Sequence, residues 1–273
     1  MGFEARSART STTGVDVRRA WRLADYWATL YRRTWRSSVI SSFASPVFYI
    51  LAMGVLLGGF IKGDPAKLEG ATSYLAFVVP GLLASQGMST VFGEVTYPVM
   101  GMIKWQRVYF SMIASPLTVG EVVLAHLAFV VFRVGTVSAV FLAVMAPFGV
   151  FKSFTGVVLA FLVQLLSALA FAAPVYALTT RLKDESGFSL IFRIGLIPMF
   201  LFSGAFFPVS NLAAPLEALA KITPLWHVVD LTRMLVLDNL DAGVALVHLG
   251  YLTALAAGGW LLAVRGLQKR LIS

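Results

Sequence analysis

The sequence predicts an all-α membrane protein with six transmembrane helices, an N-terminal interfacial amphipathic helix and re-entrant outer half-helices before the last span. Hydrophobic residues make up 58% of the 273 residues and charged residues only 13%, which is typical of a chain embedded in lipid. Six apolar stretches, with their flanking turns, are also long enough to cross about 30 Å of hydrocarbon as helices. The predicted spans are residues 39–61, 73–93, 122–147, 154–180, 194–207 and 242–264.

The charged residues are distributed unevenly between the two sides of the membrane. With six spans both termini share one side, and 15 of the 22 Lys and Arg residues lie there, against five on the other side. Short loops with an excess of Lys and Arg stay in the cytoplasm, so both termini are predicted to be cytoplasmic. Attraction to anionic membrane lipids accounts for the net charge of +9, and no nucleic-acid partner is expected.

The N-terminal region divides into two parts by composition. Residues 1–15 are rich in Ser, Thr and Arg and are predicted to be a disordered cytoplasmic tail, so that residues 16–273 form one transmembrane domain. Residues 16–36 mix arginines with aromatic residues, which predicts an amphipathic helix lying in the membrane interface. An extension of the first span into the cytoplasm is the alternative. The interfacial aromatic residues are Trp21, Tyr26, Trp27 and Tyr31.

A second short cytoplasmic helix is predicted within residues 102–116, between the second and third spans. This segment contains Lys104, Trp105 and Arg107 and is neither long nor apolar enough to span. It is expected to lie across the membrane surface and to end at Pro116, because the residue before a proline is disfavoured in a helix.

The stretch at residues 208–241 is moderately apolar and is interrupted by three prolines. Two half-length helices fit it, at about residues 215–222 and 226–237, and neither is long enough to span. A re-entrant pair entering the outer leaflet is the favoured interpretation, since half-helices at membrane depth often line a transport pathway. A loop lying on the membrane surface is the alternative.

Arg133 lies near the middle of the third span, where a charged residue costs roughly 2.5–3.5 kcal/mol to insert. It is therefore expected to face the protein interior or an acidic partner, and Glu94 and Glu121 are the candidates. Two roles remain open: a structural ion pair, or contact with an anionic group of a substrate.

No catalytic or metal-binding residue is identified. Cysteine is absent, and His126, His227 and His248 show no metal-ligand spacing, so they are expected in the core or at interfaces. The chain has neither a G-x-S-x-G nucleophile elbow nor a G-x-x-x-x-G-K-[ST] phosphate loop. If nucleotide energy drives this protein, another chain must bind the nucleotide.

Two stretches resemble the permease subunits of type-2 ABC exporters. Residues 109–121, YFSMIASPLTVGE, are similar to the family's short cytoplasmic helix and the entry to its third span. Residues 200–212, FLFSGAFFPVSNL, with TPLWH at 223–227 and DLTR at 230–233, resemble the segment that closes its fifth span. Arg133 falls where the drug and lipo-oligosaccharide export branch often has a basic residue.

This resemblance implies a multi-pass protein of the bacterial cytoplasmic membrane. It implies two copies of a separate ABC ATPase that carry the ATP and Mg, and a second permease copy, either identical or homologous. It also implies an outer gate at Phe206, Phe207 and Pro208. The residues that would seat in the ATPase are Lys104, Trp105, Gln106, Arg107, Tyr109 and Phe110.

The predicted function is export of an amphipathic substrate, such as a drug or antibiotic, a lipid or a lipid-linked glycan, by an ATP-driven transporter of which this chain is the permease. A nearly uncharged wall of aromatic residues and Met suits varied apolar shapes. The alternatives are a membrane-embedded enzyme acting on lipids and a channel or scaffold that works without an ATPase.

Overall fold

The computed structural model describes residues 16–49, 52 and 68–272, and the regular structure of these residues is entirely helical. The predicted tail at residues 1–15 and most of the first span and its outer loop lie outside them. The helices are α1 Val17–Arg22, α2 Ala24–Tyr49, α3 Tyr74–Val95, α4 Tyr97–Lys104, α5 Val108–Ile113, α6 Val119–Met145, α7 Phe154–Arg181, α8 Ser186–Leu190, α9 Ile197–Phe202, α10 Ala214–Ile222, α11 Pro224–Val236 and α12 Ala242–Ile272.

Polar side chains fix where three of the long helices begin. Ser73 before α3 and Ser153 before α7 each accept a backbone N–H of the first turn, at 3.2 Å. Thr118 and Glu121 form a reciprocal capping box at the start of α6. The first backbone amides of a helix have no partner within it, so these caps supply the missing acceptors.

Four apolar helical segments in the described part of the chain are long enough to cross a membrane, and they match the predicted second, third, fourth and sixth spans. The predicted fifth span is a shorter apolar helix, Ser186–Phe202, which contains a π-helical stretch at Ile191–Leu196. It ends five residues before the predicted end at Phe207. The four long segments are Tyr74–Lys104, Val119–Phe148, Phe154–Arg181 and Ala242–Ile272.

Helix α3 lies at the centre of the bundle, against α6, α7 and α11. Most of its residues are buried on all sides, whereas α12 is mostly exposed and packs mainly on α7. The contact between α7 and α12 depends on Gly259, since a Cβ there would lie 2.5 Å from Pro174 Cδ. A helix that is apolar all round and exposed on most faces is suited to contact with lipid or with a second subunit.

The two predicted cytoplasmic helices differ from their predicted bounds. Helix α1 covers only six residues, and α2 continues from Ala24 through the predicted interface helix into the predicted first span, as in the alternative interpretation. The predicted helix at residues 102–116 is two helices, α4 and α5, separated by a turn. The reason is local: the backbone leaves helical geometry at Arg107, which has a positive φ of 53°.

The outer segment forms two short helices, α10 and α11, close to the predicted bounds. Helix α10 is largely exposed, with only Ala220 buried. Helix α11 is largely buried against α3 and α7. Gly156 of α7 allows this close approach, because a Cβ there would overlap the backbone carbonyl of Leu235.

Candidate functional site

An exposed turn joins α4 to α5 and contains four of the residues predicted to contact an ATPase. Lys104, Trp105, Gln106 and Arg107 are all exposed, and 54% of the Trp105 surface is accessible. The amides of Trp105 and Gln106 both donate to the Gly101 carbonyl, at 3.1 and 2.8 Å, which holds the turn against α4. The turn therefore presents a defined cationic and aromatic surface.

Tyr109 belongs to the same predicted set but is fully buried beneath the turn. Its hydroxyl lies 2.5 Å from His126 Nδ1, and His126 Nε2 lies 3.3 Å from the Glu94 carbonyl. Burial raises the pKa of the Tyr109 phenol well above its ordinary value, so the hydroxyl keeps its proton and donates to Nδ1. His126 then carries its own hydrogen on Nε2 and donates to α3. Phe110, the next residue, is exposed.

The turn also contacts the second predicted cytoplasmic loop. Lys104 Nζ lies 3.4 Å from Glu185 Oε2, between α7 and α8. Both side chains are substantially exposed, so the ion pair contributes only about 0–1 kcal/mol. Its significance is positional, because it brings together the two described loops on the predicted cytoplasmic side.

Arg133 forms an ion pair with Glu94, the first of its two predicted partners. Arg133 Nε lies 2.8 Å from Glu94 Oε1, and both side chains are mostly buried. The guanidinium also lies over the Tyr31 ring, 5.5 Å from its centroid. The pair joins α3 to α6, and through Tyr31 it contacts α2. Arg133 Nη1 is buried without a hydrogen-bond partner among the described residues.

Glu121 is fully buried but serves a different purpose. Its carboxylate accepts the backbone N–H of Thr118 at 2.8 Å and that of Asp16 at 3.1 Å. It therefore caps α6 and anchors the start of α1 to it. Asp16 and Glu121 are 105 positions apart in the sequence, which explains why sequence reasoning did not find this contact.

The predicted interfacial aromatic residues divide between the protein interior and the surface. Trp27 is buried and stacks on Phe129 of α6, with 4.7 Å between ring centroids. Tyr26 contacts Trp27 edge-on, while Trp21 is exposed. Tyr31 packs edge-on against Phe132 of α6 at 5.2 Å. All of these rings except that of Tyr26 line an apolar groove of about 430 Å³ between α1, α2 and α6, with Arg32 among its walls.

The predicted outer gate lies in the turn after α9. Phe206 and Phe207 are half-buried, and Pro208 is buried. The Tyr74 hydroxyl donates to the Phe206 carbonyl at 3.1 Å, and the Phe206 ring packs edge-on against Phe200 at 4.9 Å. The turn is thus attached to the start of α3 and to α9.

Arg233 of α11 holds the same turn and was assigned no role from sequence. Its Nη2 donates to the Gly204 carbonyl at 2.6 Å, and its Nη1 lies 2.6 Å from Glu69 Oε2. The guanidinium stacks over the Phe77 ring at 4.0 Å. Gly204 has a positive φ of 79°, a conformation that residues with a side chain rarely adopt. Arg233 therefore joins α11 to the outer turn and to α3.

His227 and His248 also come together, although they lie on different helices. Their Nδ1 atoms are 2.7 Å apart, and His248 Nε2 lies 2.9 Å from Asp230 Oδ2. If His248 donates to Asp230, its Nδ1 accepts from His227. The His227 ring stacks on Tyr251, with centroids 3.9 Å apart. Sequence reasoning expected these histidines in the core or at interfaces, but no spacing pattern indicated the pairing of α11 with α12.

Known proteins match most of this chain. The ABC-2 type transporter family matches residues 20–237 of the chain. Nodulation protein J of Sinorhizobium fredii (strain NBRC 101917 / NGR234) is 30% identical over 90% of this chain and 94% of its own length. The proteins of that name from Rhizobium leguminosarum bv. viciae and Rhizobium meliloti (strain 1021) are 27% and 26% identical over 90% of this chain, and over 95% and 94% of their own lengths.

Proposed function

This chain belongs to the ABC-2 type transporter family as a membrane permease subunit of an exporter, and we propose that it couples a separate ATPase to outward movement of an amphipathic lipid-linked or acylated glycan. A drug or antibiotic is the second substrate class. The family assignment favours transport over the two alternatives, an enzyme acting on lipids and a channel or scaffold that works without an ATPase.

The exposed turn between α4 and α5 is the observation that supports coupling. It combines exposed cationic and aromatic side chains with a buried anchor, Tyr109, whose hydroxyl contacts His126 of α6. Force applied to the turn by a nucleotide-driven partner would pass through Tyr109 to α6, and through His126 to α3. The Arg133–Glu94 ion pair lies between the same two helices.

The proposed complex contains two permease copies, identical or homologous, and two ATPase subunits that carry ATP and Mg. The sequence has no phosphate loop of its own. Mostly exposed apolar helices such as α12 leave a large surface for lipid and a second copy.

Affinity purification of the full-length permease from its native host tests the coupling proposal. An ABC ATPase subunit should copurify, and the double substitution Trp105→Ala with Arg107→Glu should remove it. Trp21→Ala with Arg22→Glu is the matched control, since Trp21 and Arg22 are likewise an exposed aromatic and an exposed cation on the predicted cytoplasmic side. Unchanged ATPase recovery with the Trp105→Ala, Arg107→Glu variant would overturn the coupling assignment. Transport by the purified permease alone would overturn the need for an ATPase.

The groove between α1, α2 and α6 supports an amphipathic substrate. Its lining is mainly aromatic and aliphatic, whereas Arg32 is cationic and exposed. An acyl chain can occupy the apolar part while a polar or anionic head remains near the membrane surface. We propose that the substrate enters here from the inner leaflet.

A comparison of cells with and without the gene distinguishes the two proposed substrate classes, a glycolipid and a drug or antibiotic. Lipid extracts of the growth medium should lose an acylated glycan when the gene is deleted, and Ala28→Trp, which fills the groove, should have the same effect. If drug susceptibility changes and no glycolipid does, the second substrate class replaces the first. Thr29→Trp, at the next position along α2, is the control, because Thr29 is exposed and lies outside the groove lining.

We propose further that α10 and α11 enter the outer leaflet beside the gate at Phe206, Phe207 and Pro208, in a six-span protein with both termini in the cytoplasm of a bacterial cell. The burial of α11 against α3 and α7 supports this. The chain contains no cysteine, so single-cysteine labelling has no background. Membrane-impermeant maleimide should label Glu217→Cys in intact cells and Gln268→Cys only after lysis. Labelling of both in intact cells would contradict the topology.

A further inference from the structure

A basic cavity lies between the ends of α7 and α12, and we propose that it binds the phosphate of an anionic membrane phospholipid. The cavity has a volume of about 620 Å³, within the range of small-ligand sites. Five cationic side chains line it: Arg181, Lys183, Arg265, Lys269 and Arg270. This site plays no part in the proposed coupling, entry or gating elements.

The helices approach closely at this position because Gly266 has no side chain. A Cβ there would overlap the Thr180 hydroxyl of α7. Because Gly266 has no side chain, there is also room between the basic side chains, and the cations surround a concavity rather than a flat surface. Arg270 Nη1 donates to the Thr180 carbonyl at 3.2 Å and to the Leu182 carbonyl, which fixes one wall of the cavity.

The remaining four cations make no ion pair with any residue that the structure describes. Two acids lie in the adjoining loop. Asp184 accepts hydrogen bonds from Ser186, which lower the pKa of its carboxyl together with the smaller effect of the Lys104 and Lys183 charges, and Glu185 pairs with Lys104. Asp184 therefore offsets part of the Lys183 charge, and most of the positive charge in the cavity is left to an external anion.

The partial negative charges at the ends of α7 and α12 are too small to neutralise the cations of the cavity. The C-terminus of a helix is equivalent to about −0.5 of an elementary charge, so the ends of α7 and α12 together offset about one positive charge. Five cationic residues line the cavity. Most of that charge is available for a phosphate, which accepts hydrogen bonds from Arg and Lys.

The depth of the cavity favours a lipid headgroup as the source of the phosphate. At 1.5 Å per residue, Arg181 lies about 40 Å along α7 from Phe154, and Arg265 lies about 35 Å along α12 from Ala242. A bilayer is about 40–45 Å thick including its headgroups, so both residues reach the cytoplasmic headgroup layer. Basic pockets between transmembrane helices on this side are suited to anionic headgroups.

Native mass spectrometry of the purified full-length permease tests the proposal without a transport assay. The protein is titrated with dioleoyl phosphatidylglycerol and, separately, with dioleoyl phosphatidylcholine. Wild type should prefer the anionic lipid, and Arg265→Gln with Lys269→Gln should weaken its binding about 30-fold, or roughly fivefold for each charge removed. Neither side chain makes a hydrogen bond or ion pair with the described residues, and Gln is well tolerated in a helix.

The control removes the same charge elsewhere on the cytoplasmic side. Arg18→Gln with Arg22→Gln changes two exposed arginines of α1 and should leave the affinity within a few-fold of wild type. Equal weakening by the two double variants would reduce the effect to general surface charge and overturn the site. So would the absence of lipid preference in wild type. Competition by inorganic phosphate alone would assign the cavity to a soluble phosphate compound instead of a lipid.

Loss of ATPase copurification in the Arg265→Gln, Lys269→Gln variant, with unchanged lipid affinity, would show a protein-docking surface and also overturn the proposal. The failures in lipid binding concern the isolated permease, and the copurification failure concerns the Arg265→Gln, Lys269→Gln variant alone. The proposed export function would stand or fall by the separate copurification and deletion experiments.

Discussion

Breaking the Arg133–Glu94 ion pair distinguishes the two roles left open for Arg133. The Nε–Oε1 distance is 2.8 Å, and the side chains are only 14% and 21% exposed, so removing one partner leaves the other charge largely desolvated. Removal of one member of a buried pair costs about 3–5 kcal/mol, and because both side chains keep some exposure, the expected cost of Arg133→Leu is about 3 kcal/mol. If the role of Arg133 is structural, the free energy of unfolding should fall by this amount.

The two single variants are expected to differ. Arg133→Leu puts an apolar side chain in place of the cation, and the Glu94 carboxylate that is left is the more exposed partner, at 21%. Glu94→Gln leaves the charged Arg133 guanidinium, only 14% exposed, beside a neutral partner. Glu94→Gln should therefore destabilise the fold more than Arg133→Leu. The double variant should cost about the same as one single variant, which gives a coupling energy of about 2 kcal/mol or more.

The assay is a double-mutant cycle on purified protein, with unfolding followed in mixed detergent micelles and export measured in parallel. Arg193→Leu is the matched control, because Arg193 is an exposed arginine of the apolar helix Ser186–Phe202 and has no ion pair within the described residues. It should change the unfolding free energy by less than about 0.5 kcal/mol.

The structural interpretation is refuted if all three variants fold with wild-type stability and export is nevertheless lost when Arg133 is replaced. That outcome would assign Arg133 to contact with the substrate. If the single variants lose stability and export and the double variant recovers export, the defect of the single variants comes from one unpaired buried charge and not from a lost substrate contact.

The remaining predictions concern other helix contacts. Gly259→Ala should cost about 1–3 kcal/mol by forcing α12 away from Pro174, whereas Gly258→Ala, with open space around it, should be nearly neutral in the same unfolding assay. Arg233→Lys keeps the positive charge but loses the guanidinium that contacts Gly204 and Glu69 through separate nitrogens. Thermal unfolding should therefore show a loss of stability of about 2 kcal/mol, and an unchanged midpoint would refute this. Burial, and secondarily the proximity of His248, lower the pKa of His227 to about 4 from its ordinary 6.5, so stability should fall as pH falls from 6.5 towards 4. His227→Gln should flatten that slope, and an unaltered slope would contradict the assignment.

Local features of the sequence predicted much of the fold. Apolar length and charge asymmetry predicted the second, third, fourth and sixth spans within a few residues of where their helices begin. Prolines and intervening polar residues predicted α10 and α11. The interface helix was less predictable, because α2 continues through it, and an amphipathic pattern does not specify where a helix bends.

The candidate site could be predicted only in part. The exposure of Lys104 to Arg107, in the turn between α4 and α5, follows from the composition and length of this segment. The burial of Tyr109 does not, since its partner His126 belongs to another helix. The predicted membrane depths of Glu94 and Glu121 made both of them candidates for the ion-pair partner of Arg133. Those depths could not distinguish between the two.

The sequence by itself determined that this chain is a helical membrane protein with basic ends, because the cost of placing polar groups in hydrocarbon applies residue by residue. Only the tertiary structure decided which helices touch. Close approaches at Gly259 and Gly156 set the helix pairing, and that pairing brought Arg233 to the outer turn and His227 to His248. Contacts of this kind join residues far apart in sequence, and they depend on how side chains fill space between helices.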